Sequence, residues 1–191
     1  MQKDEALKLV KEYAEIFLIA IVLALIIRTF IVQAFKIPSG SMIPTLQIGD
    51  HILVNKFIFK FKKPNRKEIV VFKYPLDKKR DFIKRVIGLP GETIELKDRV
   101  VYINNEPINE PYAMYSSSSI DSSNFTPITV PDNSYFMMGD NRDSSMDSRY
   151  WGVLEDKLLI GKAFIIYWSW NREAKNLLGH VRWNRFFKLL H

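Results

Sequence analysis

Hydrophobic positions dominate one continuous stretch, "IFLIAIVLALIIRTFIVQAF", which runs for twenty residues from Ile16 to Phe35. As helix it would measure roughly 30 Å, the thickness of a bilayer's hydrocarbon core. Twelve consecutive apolar residues, Ile16 to Ile27, leave no polar face, which argues against a helix buried in a soluble core. The stretch could also be a removable leader, cut after Ala34 behind "VQA". Arg28 would then sit between the apolar region and the cut, and four acids against three lysines precede the run. A retained anchor fits better, with Arg28 snorkelling to the headgroups. The chain then divides into a cytoplasmic segment 1–15, a transmembrane anchor 16–35 and an extracytoplasmic domain 36–191.

Beyond Phe35 the pattern becomes short and strand-like. "HILVNKFIFKF" (His51–Phe61) predicts one strand with Phe57, Phe59 and Phe61 on a common face. "KEIVVFKYP" predicts a second strand, ended by Pro75. Phe82–Ile87, Thr93–Leu96 and Val100–Ile103 follow, separated by the turns "GLPGE" and "LKDR". Residues 113–127, with "SSSS" and "SS", read as a mobile polar loop. Strands resume at "TPITVPDNSYFMMGD" and "GKAFIIYWSW". The sum is a mostly-β domain. Its tail, "VRWNRFFKLLH", alternates basic and large apolar residues and suits either an amphipathic helix on lipid or a chain end packed on the sheet.

Composition narrows the chemistry. There is no cysteine in the 191 residues, which removes disulfides, thiolate catalysis and cysteine-bound zinc. His51, His180 and His191 are too scattered to suggest a metal cluster or a histidine-based triad. A net charge of +7 suits nucleic acid, an anionic membrane or plain solubility.

Any hydrolytic serine here needs a base other than histidine. Lys84, in "DFIKRVIGLPG", stands between Phe82 and Val86 on one face of a strand, with Arg85 directed to the other. Burial among such neighbours would pull a lysine's pKa from about 10.4 toward neutrality. The other reading of Lys84 is a solvated strand edge. In "IPSGSMIPTL", Pro38 holds Ile37 extended, Gly40 permits a bend and Pro44 stops a helix, so Ser41 sits on a stiff elbow. "MGDNRDSSMDSRYWGVL" (138–154) is dense in aspartate, arginine and serine. It fails as a calcium loop, because Asp140, Asp143 and Asp147 fall at positions 1, 4 and 8. It reads either as a surface turn or as a polar network that fixes a neighbouring group.

Together, "IPSGSMIPTL", "DFIKRVIGLPGE", "RKEIVVFKYP" and above all "GDNRDSSMDSRYWG", in this order behind an apolar span, resemble the bacterial type I signal peptidases. These leader peptidases are membrane-bound serine proteases with a serine–lysine dyad. The likeness runs to about Gly161 and implies a coiled, barrel-like antiparallel β domain with a small accessory lobe within about residues 97–134. It implies Ser41 as nucleophile, Lys84 as general base and Ser39 as an oxyanion-hole hydroxyl beside the Ser41 N–H. It gives Ser145 the task of orienting the Lys84 amine, and Asp147 with Arg149 that of holding the scaffold. Phe35, Ile37, Pro38, Met42, Leu46, Phe82 and Ile83 align with residues lining shallow pockets for small side chains at the −1 and −3 positions of a precursor.

The implied activity is removal of signal peptides from exported preproteins at the outer face of the bacterial cytoplasmic membrane. No cofactor or metal is implied. The implied partners are preproteins, the lipid bilayer and nearby export machinery, with no nucleic acid. Ser144 departs from a common asparagine, and the stretch from Lys84 to Gly139 is short. Two other readings stand beside this one: a membrane-anchored, non-catalytic scaffold and a self-cleaving serine–lysine regulator. The latter needs a DNA-binding head that residues 1–35 do not supply. A nucleic-acid-binding barrel could use "NKFIFKFKKPNRK", where aromatics interleave with lysines, but it leaves the "GDNRD" network without a task.

Overall fold

The computed structural model describes the chain except residues 1, 27, 29–30, 117–124, 175–176 and 191. Helix α1 spans Gln2–Ile26, a run without glycine or proline. Its apolar side chains, among them Ile16, Phe17, Leu18 and Leu23, are exposed. The expected helix does not continue to Phe35. Val32–Lys36 forms strand β1, which pairs antiparallel with β2 (Asp50–Asn55) from Val32 opposite Asn55 to Lys36 opposite His51. The β2 edge offers a ladder of backbone groups that a helix could not satisfy, and the β-branched and aromatic residues Val32 and Phe35 suit the strand. Among the described residues no helix is long and apolar enough to cross a membrane.

Antiparallel pairing builds the rest. The remaining strands of the main sheet are β3 (Ile69–Tyr74), β4 (Asp77–Gly88), β9 (Ser134–Met138), β10 (Leu154–Glu155), β11 (Leu159–Ser169) and β12 (Lys188–Leu189). Their order is β1-β2-β11-β3-β4-β9-β10, with β12 against β11. A second, four-stranded sheet, ordered β7-β6-β5-β8, contains β5 (Thr93–Lys97), β6 (Val100–Ile103), β7 (Glu106–Pro107) and β8 (Phe125–Thr129). This second sheet begins at Thr93, ahead of the 97–134 stretch in which an accessory lobe is expected. It shares its core with the main sheet: Ile94, Leu96 and Val101 pack with Ile87, Phe136 and Met138.

Two further sequence expectations are corrected, and the two readings of the tail are narrowed to one. The strand from His51 stops at Asn55, whose side-chain oxygen accepts from the N–H groups of Phe57 and Ile58 and turns the chain into a short 3₁₀ stretch, Ile58–Lys60. The three phenylalanines therefore share no strand face. Within the expected 113–127 loop, Met114 pairs with Asn141, and β8 already begins at Phe125; residues 117–124 lie outside the described residues. The tail packs on the sheet, with Arg185 ion-paired to Asp50 and β12 laid on β11.

Candidate active site

Ser41 lies on the connection between β1 and β2. The ladder closes at its base, where the Ile37 N–H donates to Asp50 O at 2.8 Å and the Gly49 N–H to Ile37 O at 3.0 Å. Above that, the chain turns: Ile43 N–H donates to Gly40 O, and Leu46 N–H to Met42 O. Met42 and Leu46 are fully buried in the core with Ile37, Ile52 and Val54, so two apolar side chains pin the turn from below. Such burial supplies roughly 1.5–3 kcal/mol per side chain and holds the hydroxyl still.

Lys84 arrives from β4, in register opposite Val70 of β3. Its Nζ lies 2.8 Å from Ser41 Oγ and donates to Ile83 O at 2.9 Å. It also sits 5.3 Å from the centre of the Phe82 ring. Only 4% of the residue is exposed. Burial pulls the amine's pKa down to about 8, opposed by the negative charges of Asp147 and Asp140. At neutral pH roughly a tenth of such amines are uncharged, and the uncharged form can accept the Ser41 proton.

The Gly139–Trp151 stretch braces both partners. Arg85, next to Lys84, is ion-paired to Asp140 in the interior. The Asn141 N–H donates to Ser41 O at 3.1 Å, and its Nδ2 to Gly40 O at 3.1 Å. Asp147 Oδ2 accepts from the Gly139 N–H, while both of its oxygens hold Arg149. Asp147 also caps the short helix α2 (Ser148–Trp151). Arg142, entirely buried, is paired to Glu110.

Ser39 and Pro38 are exposed on a cleft of about 530 Å³ that also takes in Ser41, Lys84, Phe82, Ile83, Ser144 and Met146. Five of the other expected positions are placed differently. Ile37, Met42 and Leu46 are core residues beneath the cleft, because the turn needs apolar anchors, and Phe35 packs against the same core. Ser145 is buried, but its Oγ makes no hydrogen bond, whereas the Lys84 amine is bound to Ser41 and Ile83 O. The Ser145 side chain instead closes over Gly139, where a Cβ would stand 2.2 Å from its Oγ.

Sequence reasoning missed Glu110, Thr45 and the clamp made by Asn141. Thr45 Oγ1 donates to Asp140 Oδ2 at 2.5 Å. Glu110 lies in a loop with no patterned neighbours, and nothing in the local sequence marks it as the partner of Arg142.

The pattern of the family described as signal peptidase, peptidase S26, matches residues 10–168. The chain is 39% identical to the probable signal peptidase I-2 of Synechocystis sp., over 82% of this chain and 72% of that protein. It is 34% identical to signal peptidase I of Pseudomonas aeruginosa, over 85% of this chain and 74% of the other. With signal peptidase I S of Bacillus subtilis it shares 36% identity, over 88% and 94%. A buried serine–amine pair on an antiparallel β framework, and a match running through every segment that builds it, put this chain in the signal peptidase family, peptidase S26.

Proposed function

We infer that this chain is a serine endopeptidase that removes signal peptides from exported preproteins, with Ser41 as nucleophile and Lys84 as its base. The observation that carries the roles is the 2.8 Å contact between Lys84 Nζ and Ser41 Oγ, made by an amine that burial holds near pKa 8. Uncharged Lys84 takes the Ser41 proton as Oγ attacks the scissile carbonyl. The oxyanion is held by the Ser41 N–H and the Ser39 hydroxyl. As the tetrahedral adduct collapses, the ammonium of Lys84 protonates the departing amine of the mature protein. Water, deprotonated by the same lysine, then attacks the acyl-enzyme, releases the signal peptide's carboxylate and restores the Ser41 hydroxyl.

Side chains at −1 and −3 enter between Pro38, Phe82 and Ile83. Ile37, Met42 and Leu46 fill the space below and keep those pockets shallow, so volume sets the preference for small residues. The apolar, exposed face of α1 lies in the cytoplasmic membrane, with residues 1–15 inside and the β domain outside. Ser41 stands only a short strand beyond the helix, at the height where a precursor's cleavage site leaves the bilayer, close to the export machinery. Confinement to the membrane plane raises the effective concentration of the two. A purified precursor incubated with the protein should yield a mature chain with a single new N-terminus, read by sequencing, and Ser41→Ala should yield none. Processing by Ser41→Ala would end this reading.

A further inference from the structure

We propose that Asn141 is a positioning residue for the oxyanion hole, aiming the Ser41 N–H by holding the carbonyl of the same peptide. The inference rests on the reading of Ser41 as nucleophile and adds a part to it. A trans peptide is planar, so its C=O and N–H point in opposite directions. In the Gly40–Ser41 peptide the carbonyl is fixed twice, by Asn141 Nδ2 at 3.1 Å and by the Ile43 N–H at 3.2 Å. The next peptide is fixed as well, since the Asn141 N–H donates to Ser41 O at 3.1 Å. One residue thus grips the carbonyls on both sides of the nucleophile. With Gly40 O turned inward to Asn141, the Ser41 N–H is turned the other way, and no acceptor takes it among the described residues.

A hydrogen bond to the carbonyl also polarises the N–H at the other end of the peptide, which strengthens it as a donor to a developing anion. Gly40 carries no side chain that could hold this peptide, and the turn's apolar anchors, Met42 and Leu46, lie beyond it. Asn141 is buried, and its Oδ1 has no partner. An unpaired buried acceptor costs stability, and here it accompanies the one donor group that, among the described residues, reaches Gly40 O from outside the turn. A smaller apolar residue would remove that cost and lose the clamp.

The test compares wild type, Asn141→Ala, Asn141→Gln and Ser41→Ala on a precursor and on a peptide aldehyde, which adds Ser41 to give a tetrahedral, transition-state-like adduct. Asn141→Ala should lower kcat by about 10–100-fold, short of the full loss of an oxyanion donor. It should leave KM and the midpoint of the pH–rate profile unchanged, and weaken aldehyde binding by the same factor as kcat. Asn141→Gln, which keeps an amide donor, should recover part of both. An activity within twofold of wild type overturns the proposal. So does a loss seen in KM, or in the pH midpoint, with aldehyde affinity intact, since that is what a loosened loop would give. If Asn141→Ala does not fold, as judged by thermal unfolding, the same comparisons on Asn141→Gln decide. Cleavage by Ser41→Ala would instead defeat the underlying reading of Ser41.

Discussion

Arg85 grips both carboxylate oxygens of Asp140, with Nε 2.8 Å from Oδ1 and Nη2 2.6 Å from Oδ2, one residue along β4 from Lys84. Both side chains are out of water, at 3% and 1% exposure. Because Asp140 also accepts from Thr45 in the nucleophile's turn, it ties the strand of the amine to the loop of the hydroxyl. Removing one partner of such a buried pair costs about 3–5 kcal/mol. Asp140→Asn should therefore lower the unfolding free energy by that order in urea titration. It should also move the activity midpoint to lower pH, since Asp140 is one of the charges that favour the Lys84 ammonium. An unchanged unfolding midpoint would show the pair to be dispensable.

The rate should follow the uncharged fraction of Lys84. With a pKa of about 8, it should fall about tenfold for each unit of pH below that value and level off above it. A profile measured from pH 5 to 10 with a soluble precursor checks both limbs. A flat acid limb would exclude a lysine base.

The same shift destabilises the fold. Lys84 binds its proton more weakly in the folded chain, at about 8 against an ordinary 10.5. Between those values the unfolded chain holds more protons, so stability rises with pH through that window. Below pH 8 both states carry the ammonium and its burial costs the full amount, on the order of 3 kcal/mol. Lys84→Met, which keeps the volume and drops the charge, should abolish cleavage yet unfold at higher denaturant at pH 7. That advantage should shrink as the pH approaches 10. A variant less stable than wild type at pH 7 would contradict the cost assigned to the amine.

Gly139 leaves no space for a side chain, because a Cβ there would stand 2.5 Å from Ser41 O and 2.2 Å from Ser145 Oγ. Since the Ser41 carbonyl cannot move without carrying its hydroxyl, Gly139→Ala should cost activity more than stability. We expect a loss of about 100-fold or more, the scale on which a small misplacement of reacting groups acts. Initial rates beside a melting curve separate the two effects. Wild-type rates in this variant would show that the contact yields freely.

The sequence already showed the pieces that depend on local pattern. Lys84 between Phe82 and Val86 admitted a buried amine beside the reading as a solvated edge, Pro38, Gly40 and Pro44 announced a rigid turn, and alternation located most strands. What it concealed was set by distant partners. The family resemblance implies Met42 and Leu46 as pocket walls, but the β2 and β11 side chains beneath them draw them into the core. Val32–Phe35 reads as the end of an apolar helix until β2 supplies an edge for it. Glu110 meets Arg142 across 32 residues, and no local signal marks a pairing at that separation. The Ser145 hydroxyl, expected on the amine, is turned instead onto Gly139, a matter of rotamer that composition cannot express.

The tail supplies the last expectation, because two readings of it predict different outcomes. Arg185 Nε lies 2.9 Å from Asp50 Oδ1, and its Nη2 reaches both Asp50 Oδ2, at 2.5 Å, and Thr45 O, at 2.9 Å. Asp50 in turn accepts from the Ser169 hydroxyl and from the Gln47 N–H, so it closes the base of the turn that bears Ser41. With Asp50 fully buried, Arg185→Ala leaves a carboxylate without its counter-charge and should cost about 3–5 kcal/mol. Arg185→Lys should recover only part, since an ammonium cannot fork onto Asp50 and still reach Thr45 O. The loss should appear in detergent without added lipid. If the tail worked by lying on a bilayer, the unfolding midpoint there would not move, and only binding to vesicles would suffer.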